Sequence, residues 1–166
     1  MKEILAKQEF DFVKAEDKEF ILAFDAEMER LGYTCGNEAG TGHCWGKYMI
    51  IYTKAGVKSK KSYARVYIRD NDIVLRLYLS NIDKHALEIE QAPDFIQEAF
   101  IGKFPSCDHC HEKTECVHQK RYAIAGKQYE ICDGKAFWFF KPRVAELPEY
   151  LKLFAVFYPA RQKKPK

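Results

Sequence analysis

Nothing in this chain is long and apolar enough to span a membrane. Runs such as Ala136-Phe137-Trp138-Phe139-Phe140 fall far short of the roughly 20 residues a bilayer requires. A strong charge of either sign is also lacking. The 27 Lys and Arg face 24 Asp and Glu, and a net charge of +3 does not force a nucleic-acid reading. The stretch Met1-Lys2-Glu3-Ile4 has none of the apolar character of an export signal, so a cytoplasmic protein that avoids membranes is expected. No Ser-His-Asp order and no nucleophile elbow occur. No pair of acidic residues can be placed as a general acid and base. What remains is a binding protein, or an enzyme that works through its cysteines.

The composition that is present belongs to a globular domain. Apolar residues make up 47% of the 166 and charged residues 31%, values that exclude disordered and fibrous classes. A single domain over residues 1–160 is expected, with a basic tail at 161–166. The charge is segregated. Residues 1–31 carry five bases against nine acids, and residues 81–101 carry one against five. Residues 32–80 carry eight bases against three acids, and residues 102–166 thirteen against seven. The acidic stretches read as helices and the basic ones as strands and tail.

Residues 15–31 predict the clearest helix, with Phe20, Phe24, Met28 and Leu31 at helical spacing and Gly32 where a cap belongs. Phe10-Asp11-Phe12-Val13 reads as a short strand before it, and Tyr48–Tyr52 as a strand after a glycine-rich loop. A hairpin follows. Ser62–Arg69 and Ile73–Leu79 both alternate around the turn Asp70-Asn71-Asp72. Residues 83–101 read as one or two helices with Pro93 at a start. Three strands, 121–124, 128–132 and 135–140, are linked by Gly126 and the hairpin signal Asp133-Gly134. A final helix from Pro148 to about Tyr158 buries Leu151, Phe154 and Phe157. The expected class is therefore α+β, an antiparallel meander with helices on one face. The order strand, turn, strand, helix occurs at 62–101 and again at 128–158, a weak internal echo.

Strand alternation separates two kinds of surface. Ala64, Val66 and Ile68 share a face with Ile73, Leu75, Leu77 and Leu79. Tyr63, Arg65, Tyr67 and Arg69 fall on the other, with Val74, Arg76 and Tyr78. Arg65, Tyr67, Arg76 and Tyr78 are the candidate ligand-binding residues, since guanidinium and ring together suit an anionic planar molecule. Single-stranded nucleic acid asks for the same residue types. The plain reading is a solvated sheet face, or a face covered by the acidic helical stretch 83–101.

The most specific motif is the Cys/His-rich knuckle at 103–120. Cys107-Asp108-His109-Cys110 has the spacing that lets two thiolates grip one tetrahedral metal ion. Cys116 and Cys132 complete a four-thiolate set for a structural zinc, with His118 the substitute for either of them, and a metal clip suits a segment poor in core residues. Unligated thiols, a redox dithiol activated by His109 and iron–sulfur ligation are the alternatives, in that order. Thioredoxin-like sites place the pair between a strand and a helix start. Here the pair precedes a meander. The loop Gly36–Lys47 fails as a phosphate cradle, because five residues separate Gly40 from Gly46 and Tyr48 stands where Ser or Thr is needed. His43 and Cys44, as neighbours on an extended segment, would point apart. His85 reads as solvated.

Cys-Trp-Gly-Lys-Tyr at 44–48, Cys-Asp-His-Cys-His at 107–111 and Tyr-x-Ile-x-Gly at 122–126 resemble segments of small cytosolic proteins of Firmicutes-type bacteria. That resemblance implies no activity. The element order is similar to the YdhG-like domain, linked in some members to iron handling. It is also similar to GyrI-like effector-binding domains, built from two βαββ units. Neither implies a site residue here. The expectation is a cytoplasmic binding or regulatory module with a structural zinc and an anionic small-molecule site. A thiol redox enzyme using Cys107 and Cys110, and a single-stranded nucleic-acid accessory protein, are the rivals.

Overall fold

The computed structural model describes residues 1–58, 61–101, 120–131 and 136–159. In chain order the elements are helix α1 (Lys2–Leu5), helix α2 (Ala15–Arg30), strands β1 (Tyr33–Thr34), β2 (Gly40–Thr41), β3 (Tyr48–Lys54), β4 (Ser62–Ile68) and β5 (Ile73–Tyr78). Helices α3 (Ala86–Glu90) and α4 (Asp94–Ile101), strands β6 (Lys120–Ile124), β7 (Lys127–Ile131) and β8 (Ala136–Phe140), and helix α5 (Leu147–Phe157) follow. The fold is α+β. Its main antiparallel sheet runs β1-β3-β4-β5-β8, with β2 also paired to β3. Strands β6 and β7 form a separate two-stranded sheet. Among the described residues no helix is long and apolar enough to cross a membrane.

Helix α2 forms where its apolar spacing predicts, and buries Phe20, Ile21, Phe24 and Met28. Gly32 closes it at φ +82°, a left-handed conformation that a side chain would strain. The strand expected at 10–13 is absent. Residues Gln8–Phe10 make a 3-10 turn, and Phe10 and Val13 are both buried. A three-residue spacing puts two side chains on one side of a helical turn but on opposite faces of a strand.

Helices α1–α5 pack on the aliphatic side of the sheet. Ile50, Tyr52, Val66, Leu75, Leu77 and Phe137 form one buried cluster with Phe24, Ile89, Ile96, Phe100 and Phe154. The acidic stretch 83–101 therefore covers this side and leaves the arginine side alone, because its own apolar stripe (Ile82, Ile89, Ile96, Phe100) seeks the aliphatic face. His85 is not solvated either. It is half-buried, 4.4 Å from the Phe157 ring centroid. The last helix buries Leu147, Tyr150, Leu153 and Phe154, with Leu151 and Phe157 only half-buried. Its inward stripe is thus rotated from the one expected.

The three-strand meander near the C-terminus is also corrected. Strand β7 pairs with β6, while β8 leaves it and pairs with β5. Burial decides the matter: Phe137 and Phe139 stand opposite Leu77 and Leu75 and enter the main core. Large aromatic areas removed from water outweigh a local turn preference. The internal echo dissolves with it, since the second copy has no hairpin. The β6–β7 ribbon is tied to the helices instead. The Ala123 amide donates to Asp83 Oδ1 at 2.7 Å, the Ala125 amide donates to Glu90 Oε1 at 2.6 Å, and the Tyr122 hydroxyl donates to the Phe100 carbonyl.

Candidate ligand-binding face

The side of the sheet that faces away from the helices is built by register. Arg65 stands directly opposite Arg76, and Arg76 opposite Trp138. The neighbouring row is Met49, Tyr67, Val74 and Phe140. Like charges placed across a strand pair are destabilising. Here aromatic rings separate and stabilise them. The Arg65 and Arg76 guanidiniums lie 5.2 and 5.0 Å from the Tyr78 ring centroid, and Arg76 lies 4.3 Å from that of Trp138. Arg65 donates to the Tyr67 hydroxyl at 3.3 Å and to Ser62 Oγ at 3.2 Å. Its buried Nε has no hydrogen-bond partner among the described residues.

The four residues expected to form a site are thus brought together, with two corrections. First, the face is not simply solvated. Tyr67 is 1% and Arg76 6% exposed, because Trp138 stacks on Tyr67 at 5.8 Å and 20°, and Trp45 packs on Trp138 at 4.6 Å. Replacing Arg76 would consequently disturb packing as well as charge, contrary to its sequence reading as a surface position. Second, a register shift between Tyr52 and Thr53 opposes Thr53 to Ser62 and leaves Tyr63 as an extra residue. The bulge turns Tyr63 against Tyr33 and Tyr158, at 4.9 and 4.8 Å, and brings Ser62 to Arg65 in its place.

Two clefts flank the arginine pair. Strands β1 and β2 both pair with β3, at Thr53–Lys54 and at Tyr48–Met49, and the residues between them arch outward. Beneath the arch lies a groove of about 550 Å³ lined by Thr34, Gly36, Ile51, Lys58, Ser62 and Arg65 among others, with the acidic Glu38 at its wall. On the far side a shallow cleft of about 750 Å³ is lined by His43, Cys44, Trp45, Lys47, Arg69 and Asp70. The loop that carries Trp45 turns through a 3-10 segment, His43–Trp45, where an extended run was expected. It is held close by two glycines. A Cβ on Gly42 would meet the Gly46 carbonyl oxygen at 2.2 Å, and one on Gly46 would meet the Ile68 carbonyl oxygen at 2.9 Å. That close approach lays the loop over the sheet.

Comparison with family models, curated proteins and solved structures finds no match. The face has to be read from its own chemistry. It offers fixed guanidiniums, lysines and hydroxyls for an anion, and rings for stacking. Among the described residues it holds no nucleophile paired with a base.

The cysteines divide sharply. Cys107, Cys110, Cys116, His118 and Cys132, the expected metal ligands, lie outside the described residues. Among the described residues no group of three His, Cys, Asp or Glu side chains is arranged to hold a metal ion. Cys35 is buried and donates its thiol to Asp25 Oδ1 at 3.2 Å. Burial and the Asp25 carboxylate push that thiol up to about 11. Burial likewise drives the nearby Tyr52 hydroxyl well above its ordinary range. Asp25 is itself buried, 3.8 Å from the Met1 amino group. Cys44, by contrast, is exposed. Brief treatment of the native protein with iodoacetamide near neutral pH should therefore label Cys44 and spare Cys35, as read by peptide mass spectrometry. Equal labelling of the two would show that the Asp25–Cys35 region is open to solvent.

Proposed function

We propose that this chain is a non-catalytic binding or regulatory module whose outer sheet face takes an anion at Arg65 and Arg76. The reading is supported above all by one observation: two cross-strand guanidiniums stand over the same Tyr78 ring, two fixed cationic donors within reach of one anion. Groove residues Thr34, Ser62 and Lys58 add further donors beside Arg65. Tyr67 positions Arg65 through its hydroxyl, and Trp138 supports Arg76. A structural zinc held by Cys107 and Cys110, with two of Cys116, His118 and Cys132, is the second part of the proposal and rests on spacing alone. A redox role for the same pair would instead require a thiol with a depressed pKa, measurable by the pH dependence of its alkylation.

The anion site is tested by thermal unfolding in inorganic pyrophosphate and in citrate. Either anion should raise the midpoint of the unmodified protein, and Arg65→Ala should abolish the rise. Because Arg65 is half-exposed, that variant should lose no more than about 1 kcal/mol on its own. An unchanged shift in Arg65→Ala would overturn the site.

A further inference from the structure

Building on the anion reading, we propose that the natural occupant of this face is single-stranded nucleic acid, with bases stacked on Trp45 and Phe140 and phosphates held in the flanking clefts. Both tryptophans of the chain, Trp45 and Trp138, lie on this one face. They belong to a continuous aromatic strip. Trp138 stacks on Phe140 at 6.4 Å and 15° and on Tyr67, and Trp45 packs against it at a tilt of 45°. The strip is not fully covered: Trp45 is 39% and Phe140 50% exposed. Such rings offer open π-surface in the way that sequence-tolerant single-strand binders do.

Basic residues stand at both ends of the strip. Lys58 and Arg65 line the groove at one end, with Glu38 at its wall, and Lys47 and Arg69 line the cleft at the other beside Asp70. Arg69 also lies 5.7 Å from the Phe140 ring centroid, although Asp72 engages its guanidinium at 2.5 and 2.7 Å. One small anion would occupy one cleft. A polyanion with flat side groups uses both clefts and the rings between them, where Lys47, Lys58, Arg65, Arg69 and Arg76 outnumber Glu38, Asp70 and Asp72. Duplex DNA suits the face less well, because its bases are already stacked on one another and its charge asks only for a positive surface.

The test uses the full chain and a fluorescently labelled oligothymidylate of about 12 nucleotides, a length within common single-strand site sizes. Addition of the unlabelled oligomer should quench the tryptophan fluorescence, and anisotropy of the labelled one should show affinity falling steeply with salt. Trp45→Ala and Phe140→Ala should each weaken binding roughly ten-fold, within the range measured for one stacked base. Phe140→Ala guards against misfolding of the Trp45 loop, since its ring is half in solvent. Pyrophosphate should compete with the oligomer. Absence of quenching, equal affinity for the matching duplex, or unchanged affinity in both ring variants would overturn the inference; the last result would assign binding to the basic tail. If pyrophosphate still stabilises the protein through Arg65 while the oligomer fails to bind, the nucleic-acid inference falls and the anion site stands. Loss of both responses removes both.

Discussion

Phe137→Ala should cost about 3–5 kcal/mol, the usual range for deleting a fully buried aromatic ring. Phe137 is 0% exposed, and its centroid lies 4.2 Å from that of Phe100 and 6.1 Å from that of Tyr122. It therefore joins three elements at once: strand β8, helix α4 and the β6–β7 ribbon. Most domains have only about 5–15 kcal/mol of stability in total, so the variant should unfold at much lower urea. The control is Phe140, on the outward face of the same strand. Phe140→Ala should change stability by less than about 1 kcal/mol, since half of its ring is already in water. Comparable losses in the two variants would mean that β8 does not insert with the parity described.

Removal of metal should act on a different part of the chain. Protein purified without chelator is expected to carry about one zinc per chain, as a closed structural site would. Thiolates must lose their protons to bind, so both acid and a strong chelator should release the ion, and Cys107→Ser should prevent its uptake. Cys35→Ser should leave the metal content unchanged, because Cys35 is engaged with Asp25 in the helix-side core. The main sheet should survive metal loss, since its buried cluster is built from Phe24, Val66, Leu75, Phe137 and their neighbours. Circular dichroism and elemental analysis on the same sample would separate these effects. Metal-free protein whose Cys107 and Cys110 alkylate freely in the native state would end the zinc proposal.

How much of this was legible beforehand depends on which force dominated locally. Helix α2 and the β4–β5 hairpin were readable because apolar period, turn chemistry and caps all agree there. The placement of Arg65, Tyr67, Arg76 and Tyr78 on one surface followed from strand alternation alone. What alternation cannot report is a bulge, so Tyr63 was put with the arginines when it belongs with Tyr33 and Tyr158. Nor does it report cover, so Arg76 looked open although Trp138 lies across it. The signal for Trp138 was present in β8, where Trp138 and Phe140 alternate with Phe137 and Phe139. It was hidden because the Asp133-Gly134 turn assigned that strand to the wrong neighbour. The arch over the groove left no mark in the pattern, because two-residue strands carry too little periodicity to be seen.

That arch has a consequence for association. A long outer strand such as β3 presents a row of backbone donors and acceptors on which another chain can template itself. Here β1 and β2 each occupy only two positions on that edge, Thr53–Lys54 and Tyr48–Met49, with a projecting loop between them. The stretch 50–52 has no strand neighbour on that side among the described residues, and three residues are too few for an incoming strand to pair along. The interruption that opens the groove thereby breaks the edge into pieces too short to template a second sheet.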